Sequence, residues 1–162
     1  MHNAFLLQAS RKYLLNCFIL ALPVLIWNVV LTDKLPAAFQ PGIFRRDISP
    51  LIMLVENVSR SMLFLIMLLF PLQMTDRLQR RGLLVYLAGL LMYFSSWLMI
   101  IYFPDTPWSR SRSGFLAPAY TPLIWLAGIG MLSGKPFIAL PFIKQSYLII
   151  AIVFTIFHCE HP

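Results

Sequence analysis

Apolar residues fall into five long runs, at approximately 13–32, 50–74, 83–103, 115–133 and 137–157, and short polar or proline-rich breaks separate them. A helix needs about 20 apolar residues to cross the roughly 30 Å hydrocarbon core of a bilayer. The pattern therefore predicts an all-α integral membrane protein, a polytopic bundle of about five transmembrane helices. The runs leave only short loops, so positions 1–162 read as a single transmembrane domain.

The breaks carry recognisable punctuation. Arg11 and Lys12 precede the first run, which resembles a secretory leader at first sight. The run is longer than the usual apolar core of about 7–15 residues and lacks a small-residue cleavage site, so it reads as a retained span kinked at Pro23. Ser49-Pro50 supplies an N-cap and a first-turn proline for the second helix. Positions 76–82 read as a turn carrying Arg77, Arg80 and Arg81, and the third span begins after it. Pro104 and Pro107 stop that span, and positions 108–114 read as a basic loop. The fourth run contains Pro118 and Pro122. Either it is a helix starting or kinking near Thr121-Pro122, or 115–121 enters as irregular backbone, which is tolerated at membrane depth only when buried in protein or lining a wet cavity.

Composition supports this reading. The chain is 59% hydrophobic and 12% charged, with a mean hydropathy of +0.77. Soluble domains run near 25% charged. The net charge of +7 is placed at helix ends, where it meets lipid phosphates, so no nucleic acid partner is implied. Arg11, Lys12, Arg77, Arg80, Arg81, Lys135 and Lys144 gather on one side of a five-span topology. Lys34, Arg45, Arg46, Arg110 and Arg112 lie on the other. The positive-inside rule then predicts a cytoplasmic N-terminus and an external C-terminus in a plasma or inner membrane. Cys17 and Cys159 fall on opposite sides, too far apart for a disulfide.

Depth along each helix singles out candidate chemistry. With alternating spans, Asn28, Glu56, Asn57, Arg60, Ser95, Ser96, Tyr120, Thr121, Thr155 and His158 all fall in the outer half, whereas Asn16, Gln145 and Ser146 do not. Glu56 and Arg60 share one helix face at i, i+4. An ionised residue in a span faces the bundle interior or a cavity. The pair either neutralises itself or presents Arg60 to a carboxylate or phosphate. Trp108, Arg110, Arg112 and Tyr120 sit above this cluster as further candidates, with Arg45 and Arg46 beside them. His158, Cys159, Glu160 and His161 have no second ligand cluster to complete a metal site, so no metal or cofactor is implied. Gly128, Gly130 and Gly134 suit close packing on another helix, within the chain or in a partner or second copy.

No catalytic residue can be assigned, since the histidines lie only at the chain ends. Three functions fit. The first is a binding or transport protein with an outward-facing polar pocket for a small anion or lipid headgroup. The second is a packing subunit of a larger membrane complex. The third is a membrane-embedded lipid-modifying enzyme using Glu56 as base.

Overall fold

The computed structural model describes residues 15–37, 40, 48–138 and 140–159, and these form helices with no strand. Arg11, Lys12, Arg45, Arg46, Glu160 and His161 lie outside the described residues. Three helices are long and apolar enough to cross a membrane: α1 (Cys17–Lys34), α2 (Pro50–Leu69) and α3 (Arg77–Tyr102). Short helical turns follow, α4 (Pro107–Arg110), α5 (Arg112–Phe115) and α6 (Ala117–Tyr120), and then α7 (Pro122–Leu132) and α8 (Ile143–Cys159). The stretches Ala117–Leu132 and Ile143–Cys159 are shorter apolar helices.

Local chemistry fixes the helix starts. Asn16 caps α1, its side chain accepting from the Phe18 N–H at 3.0 Å. Pro23 does not kink the middle of a helix. It sits at the second position of the α-helical stretch Leu22–Leu31, after a 3-10 turn, where its missing N–H costs nothing. Ser49 caps α2 with Pro50 as first residue, as the dipeptide predicts. The third helix begins at Arg77 rather than after the arginines. Asp76 and Gln79 form a reciprocal capping box, which satisfies two orphan donors and starts the helix inside the basic segment.

Positions 108–114, expected as a loop, form helical turns, and 115–121 is largely helical rather than irregular backbone, the other alternative the prolines allowed. Thr106 and Ser111 each accept a backbone N–H three residues on, nucleating α4 and α5. Thr121 caps nothing; it has helical dihedrals, and its hydroxyl donates back to the Ala117 carbonyl at 2.7 Å. The last helix starts at Ile143, six positions later than 137, because Pro141 and a left-handed Phe142 (φ 59°) precede it.

Each helix buries a stripe spaced by three or four residues: Cys17, Ala21 and Val24 on α1; Glu56, Ser59, Leu63 and Met67 on α2; Tyr86, Gly89, Tyr93, Trp97 and Ile100 on α3. The opposite faces are apolar too. Val29 is 79% exposed, Leu84 68% and Leu91 69%. An exterior of this kind is stable against lipid and costly against water.

One end of the bundle is sealed by backbone pairing. Pro71 ends α2, and the freed groups find partners from other segments. The Phe70 carbonyl accepts from Cys17 at 2.8 Å, Leu72 donates to Leu15 at 3.0 Å, and Gly134 donates to Pro71 at 2.9 Å. Lys144 closes the knot by donating to the Ser133 carbonyl at 2.8 Å, beyond the C-terminus of α7. The start of α1, the end of α2, the end of α7 and the start of α8 thus meet at one level. Cys17 is buried there, and Cys159 is at the far end of α8.

The most extensive contact joins α3 to α7, and glycines permit it. A Cβ on Gly128 would lie 2.6 Å from Tyr86 Cα, and one on Gly89 would lie 2.8 Å from Trp125 Cα. Gly130 faces the Tyr147 ring, and Gly134 faces the Gln73 side chain. Gly128, Gly130 and Gly134, expected to allow close packing, thus meet segments of the same chain. Interhelical hydrogen bonds such as Tyr86 Oη to the Leu20 carbonyl (2.8 Å) and Tyr147 Oη to the Leu126 carbonyl (2.9 Å) add roughly 0.6 kcal/mol each in a bilayer. Separating the α3 and α7 backbones costs more. Gly128→Ala is expected to destabilise the bundle by about 1–3 kcal/mol. Gly130→Ala, whose Cβ meets the Tyr147 ring at Cε1 (3.2 Å) and Cδ1 (3.4 Å) and no backbone atom, should cost less. Unfolding of both variants in mixed micelles checks this; the reverse order would refute the close approach.

Candidate functional site

The other end of the bundle is open. A cavity of about 390 Å³ lies between α1, the middle of α2, the end of α3, the 115–126 segment and the end of α8. Its walls are mainly aliphatic and aromatic, including Val24, Leu63, Ile100, Leu126 and Phe154.

The charged group in this cavity comes from two helices far apart in sequence. Arg60 and Glu56 form a direct ion pair on α2. His158, at the end of α8, brings Nδ1 to 3.1 Å from the same carboxylate oxygen. Glu56 is buried, and the Arg60 side chain keeps 34% of its surface accessible. The Arg60 guanidinium lies 5.6 Å from the centroid of the Phe154 ring, within cation–π range. That ring is itself stacked on His158 at 5.3 Å, one helical turn away. One carboxylate, one guanidinium, one imidazole and one aromatic face thus tie α2 to α8 inside an apolar setting. A buried charge needs this kind of neutralisation and hydrogen bonding.

A second polar group faces the same cavity. The Tyr93 hydroxyl donates to Asn28 Oδ1 at 2.6 Å, which leaves the Asn28 amide NH2 as a donor. Thr32 donates to the Asn28 carbonyl one turn along. This pairing crosses from α3 to α1.

The expected site residues divide into those that line the cavity and those that do not. Arg60, Glu56 and Asn28 line it. Asn57 and Ser95 are exposed on the outer faces of α2 and α3, and Ser96 is buried with its hydroxyl bonded to the Tyr93 carbonyl at 2.7 Å. Helix rotation explains the split, because adjacent positions point about 100° apart. Trp108, Arg110, Arg112 and Tyr120 are exposed and do not line the cavity. Arg110 pairs with Asp105 at 2.6 Å, with both side chains largely exposed. Tyr120 donates to the Ser113 carbonyl at 3.2 Å. The helical turns α4 and α5 fold these side chains onto the surface instead of over Arg60. Among the described residues, no cluster of three metal-ligating side chains forms.

Sequence reasoning missed Tyr93, Trp97, Trp125 and Phe154 as cavity residues, and treated His158 as a helix-end polar residue. The only signal for Tyr93 and Trp97 was their i, i+4 spacing beside the polar Ser95-Ser96 pair. Phe154 and His158 share that spacing on α8.

No protein-family model, curated protein or solved structure matches this chain.

The charge cluster makes a stability prediction. Glu56→Gln leaves Arg60 short of its counter-charge in an apolar segment. The expected loss is about 2 kcal/mol, below the roughly 3–5 kcal/mol of a fully buried pair because Arg60 is partly accessible. Adding Arg60→Gln in the same chain should recover part of that loss. A double-mutant cycle by reversible unfolding in mixed micelles reads the coupling; strictly additive losses would show that the two charges do not depend on each other.

Proposed function

We propose that this chain is a multi-pass membrane protein of five spans that binds or transports a small anionic molecule or lipid headgroup in a pocket opening to the outer side. In this reading Ala117–Leu132, bent around its prolines, and Ile143–Cys159 are the fourth and fifth spans. The N-terminus is cytoplasmic and the C-terminus external. The basic residues Arg77, Arg80, Arg81, Lys135 and Lys144 face the cytoplasmic leaflet.

The observation that carries the reading is the partly accessible guanidinium of Arg60 within a mainly apolar cavity. Arg60 keeps a third of its side-chain surface accessible, and its partner Glu56 is shared with His158. Arg presents a planar fork suited to carboxylate or phosphate. A lipid-modifying reaction at Glu56 has less support, because that carboxylate is buried and already engaged by both Arg60 and His158. The reading as a packing subunit rests on a separate feature, the exposed Asn57 and Ser61 on the apolar outer face of α2, since polar side chains at a helix surface in lipid suit a partner helix.

Ligand binding to the folded state raises its unfolding temperature. The test therefore uses the protein in phosphatidylcholine nanodiscs, with inorganic phosphate, decanoate, or phosphatidylglycerol included in the disc. At least one should raise the unfolding temperature in a saturable way. Arg60→Gln should weaken that response by about tenfold or more in ligand concentration, as expected for losing a hydrogen bond to a charged group. No shift with any of the three, or a shift indifferent to Arg60, would contradict the proposal.

A further inference from the structure

Three indole N–H groups are buried without an acceptor among the described residues: those of Trp27, Trp97 and Trp125. Trp27 does not line the cavity; its ring stacks on Phe94 at 4.2 Å. Trp97 and Trp125 do line it, alongside Arg60, and both are more than nine-tenths buried. Indole offers a donor and no acceptor. Arg60 and the Asn28 amide add further donors to the same walls. The strongest acceptors are already engaged, Glu56 Oε1 by Arg60 and His158 and Asn28 Oδ1 by Tyr93. This leaves the neutral hydroxyl oxygens of Tyr93 and Thr32 among the lining side chains that these bonds do not use as acceptors. The cavity thus has donors in excess, surrounded by hydrocarbon.

An occupant must meet both conditions. A neutral hydrocarbon would fill the walls and leave the donors unpaired, which is costly in a dry site. An inorganic anion would meet the donors, lose its hydration, and leave the apolar walls uncovered. We infer that the cavity takes an amphipathic oxyanion with a single apolar chain or ring, its head oxygens accepting from Arg60 and from the Trp97 and Trp125 indole N–H groups. This rests on the anion-pocket reading and names its ligand class. Size sets the single-chain limit: about 390 Å³ lies at the small end of the roughly 300–1,000 Å³ typical of ligand pockets.

The experiment measures radiolabelled decanoate binding to the full chain in phosphatidylcholine nanodiscs. Decanol, inorganic phosphate and phosphatidylglycerol added to the disc serve as competitors. Decanoate should bind at least about tenfold more tightly than either decanol or phosphate. Trp97→Phe and Trp125→Phe keep a ring and remove the N–H, and each should reduce the decanoate-to-decanol preference by about threefold or more. In the wild-type protein, the indole proton–nitrogen resonances of Trp97 and Trp125 should shift with decanoate and stay in place with decanol, while that of Trp108 stays fixed with both. This readout holds even if a variant fails to fold. Phosphate matching decanoate would keep the anion pocket and overturn the amphipathic ligand. Decanol matching decanoate would overturn both. Binding confined to phosphatidylglycerol would overturn the single-chain limit, and motionless Trp97 and Trp125 resonances would overturn the donor assignment.

Discussion

A guanidinium on an apolar helix constrains everything around it. Arg60 lies in the middle of a helix of 20 residues, about the length needed to cross hydrocarbon, so it cannot reach water without a partner or a cavity. Glu56 one turn earlier supplies the counter-charge. His158 brings a second helix to the same carboxylate, and Phe154 covers the cation. The α2–α8 pairing therefore rests on electrostatics at its open end. At its sealed end the Phe137 N–H, in the segment leading into α8, donates to the Leu69 carbonyl at 2.9 Å.

The two ends of the bundle solve different problems. At Pro71 a helix breaks where lipid offers no hydrogen bonds, and every freed backbone group must find protein. The pairings among Leu15, Cys17, Phe70, Leu72 and Gly134 do this and fix the register of three segments. At the other end the helices diverge around side chains. Gly82, Gly89 and Gly128 hold α3 and α7 in near backbone contact, and α8 packs on α7 through Tyr147. The cavity lies beyond these contacts, between α1, α2, α3 and the end of α8. A closed, backbone-paired end and an open, side-chain-lined end are the layout expected of a binding pocket entered from one side.

What the sequence made legible was local. Ser49-Pro50 marked the start of α2, and the i, i+4 spacing of Glu56 and Arg60 marked their ion pair. Both features depend on residues within one turn. The helix starts that were misplaced also had local causes, read wrongly: the Asp76–Gln79 capping box extended α3 through three arginines, and Thr106 and Ser111 turned an expected loop into α4 and α5. The site itself was only partly readable. His158 meets Glu56 across 102 positions, and no spacing rule spans that distance. Nothing in the sequence set Trp97 and Trp125 apart, because an unpaired indole N–H can be recognised only once its neighbours are known. Arg110 was assigned to the cluster by depth alone, and depth does not say that Asp105 will hold it at the surface.

The central claim is that the Arg60 end of the bundle is a cavity built to hold an amphipathic anion. A density map of the protein in phosphatidylcholine nanodiscs with saturating decanoate tests it most directly. The account predicts a continuous non-protein feature running from the Arg60 guanidinium past Trp97 and Trp125 toward Leu126. A map in which protein side chains close that space, with Arg60 engaged only by Glu56, would contradict it.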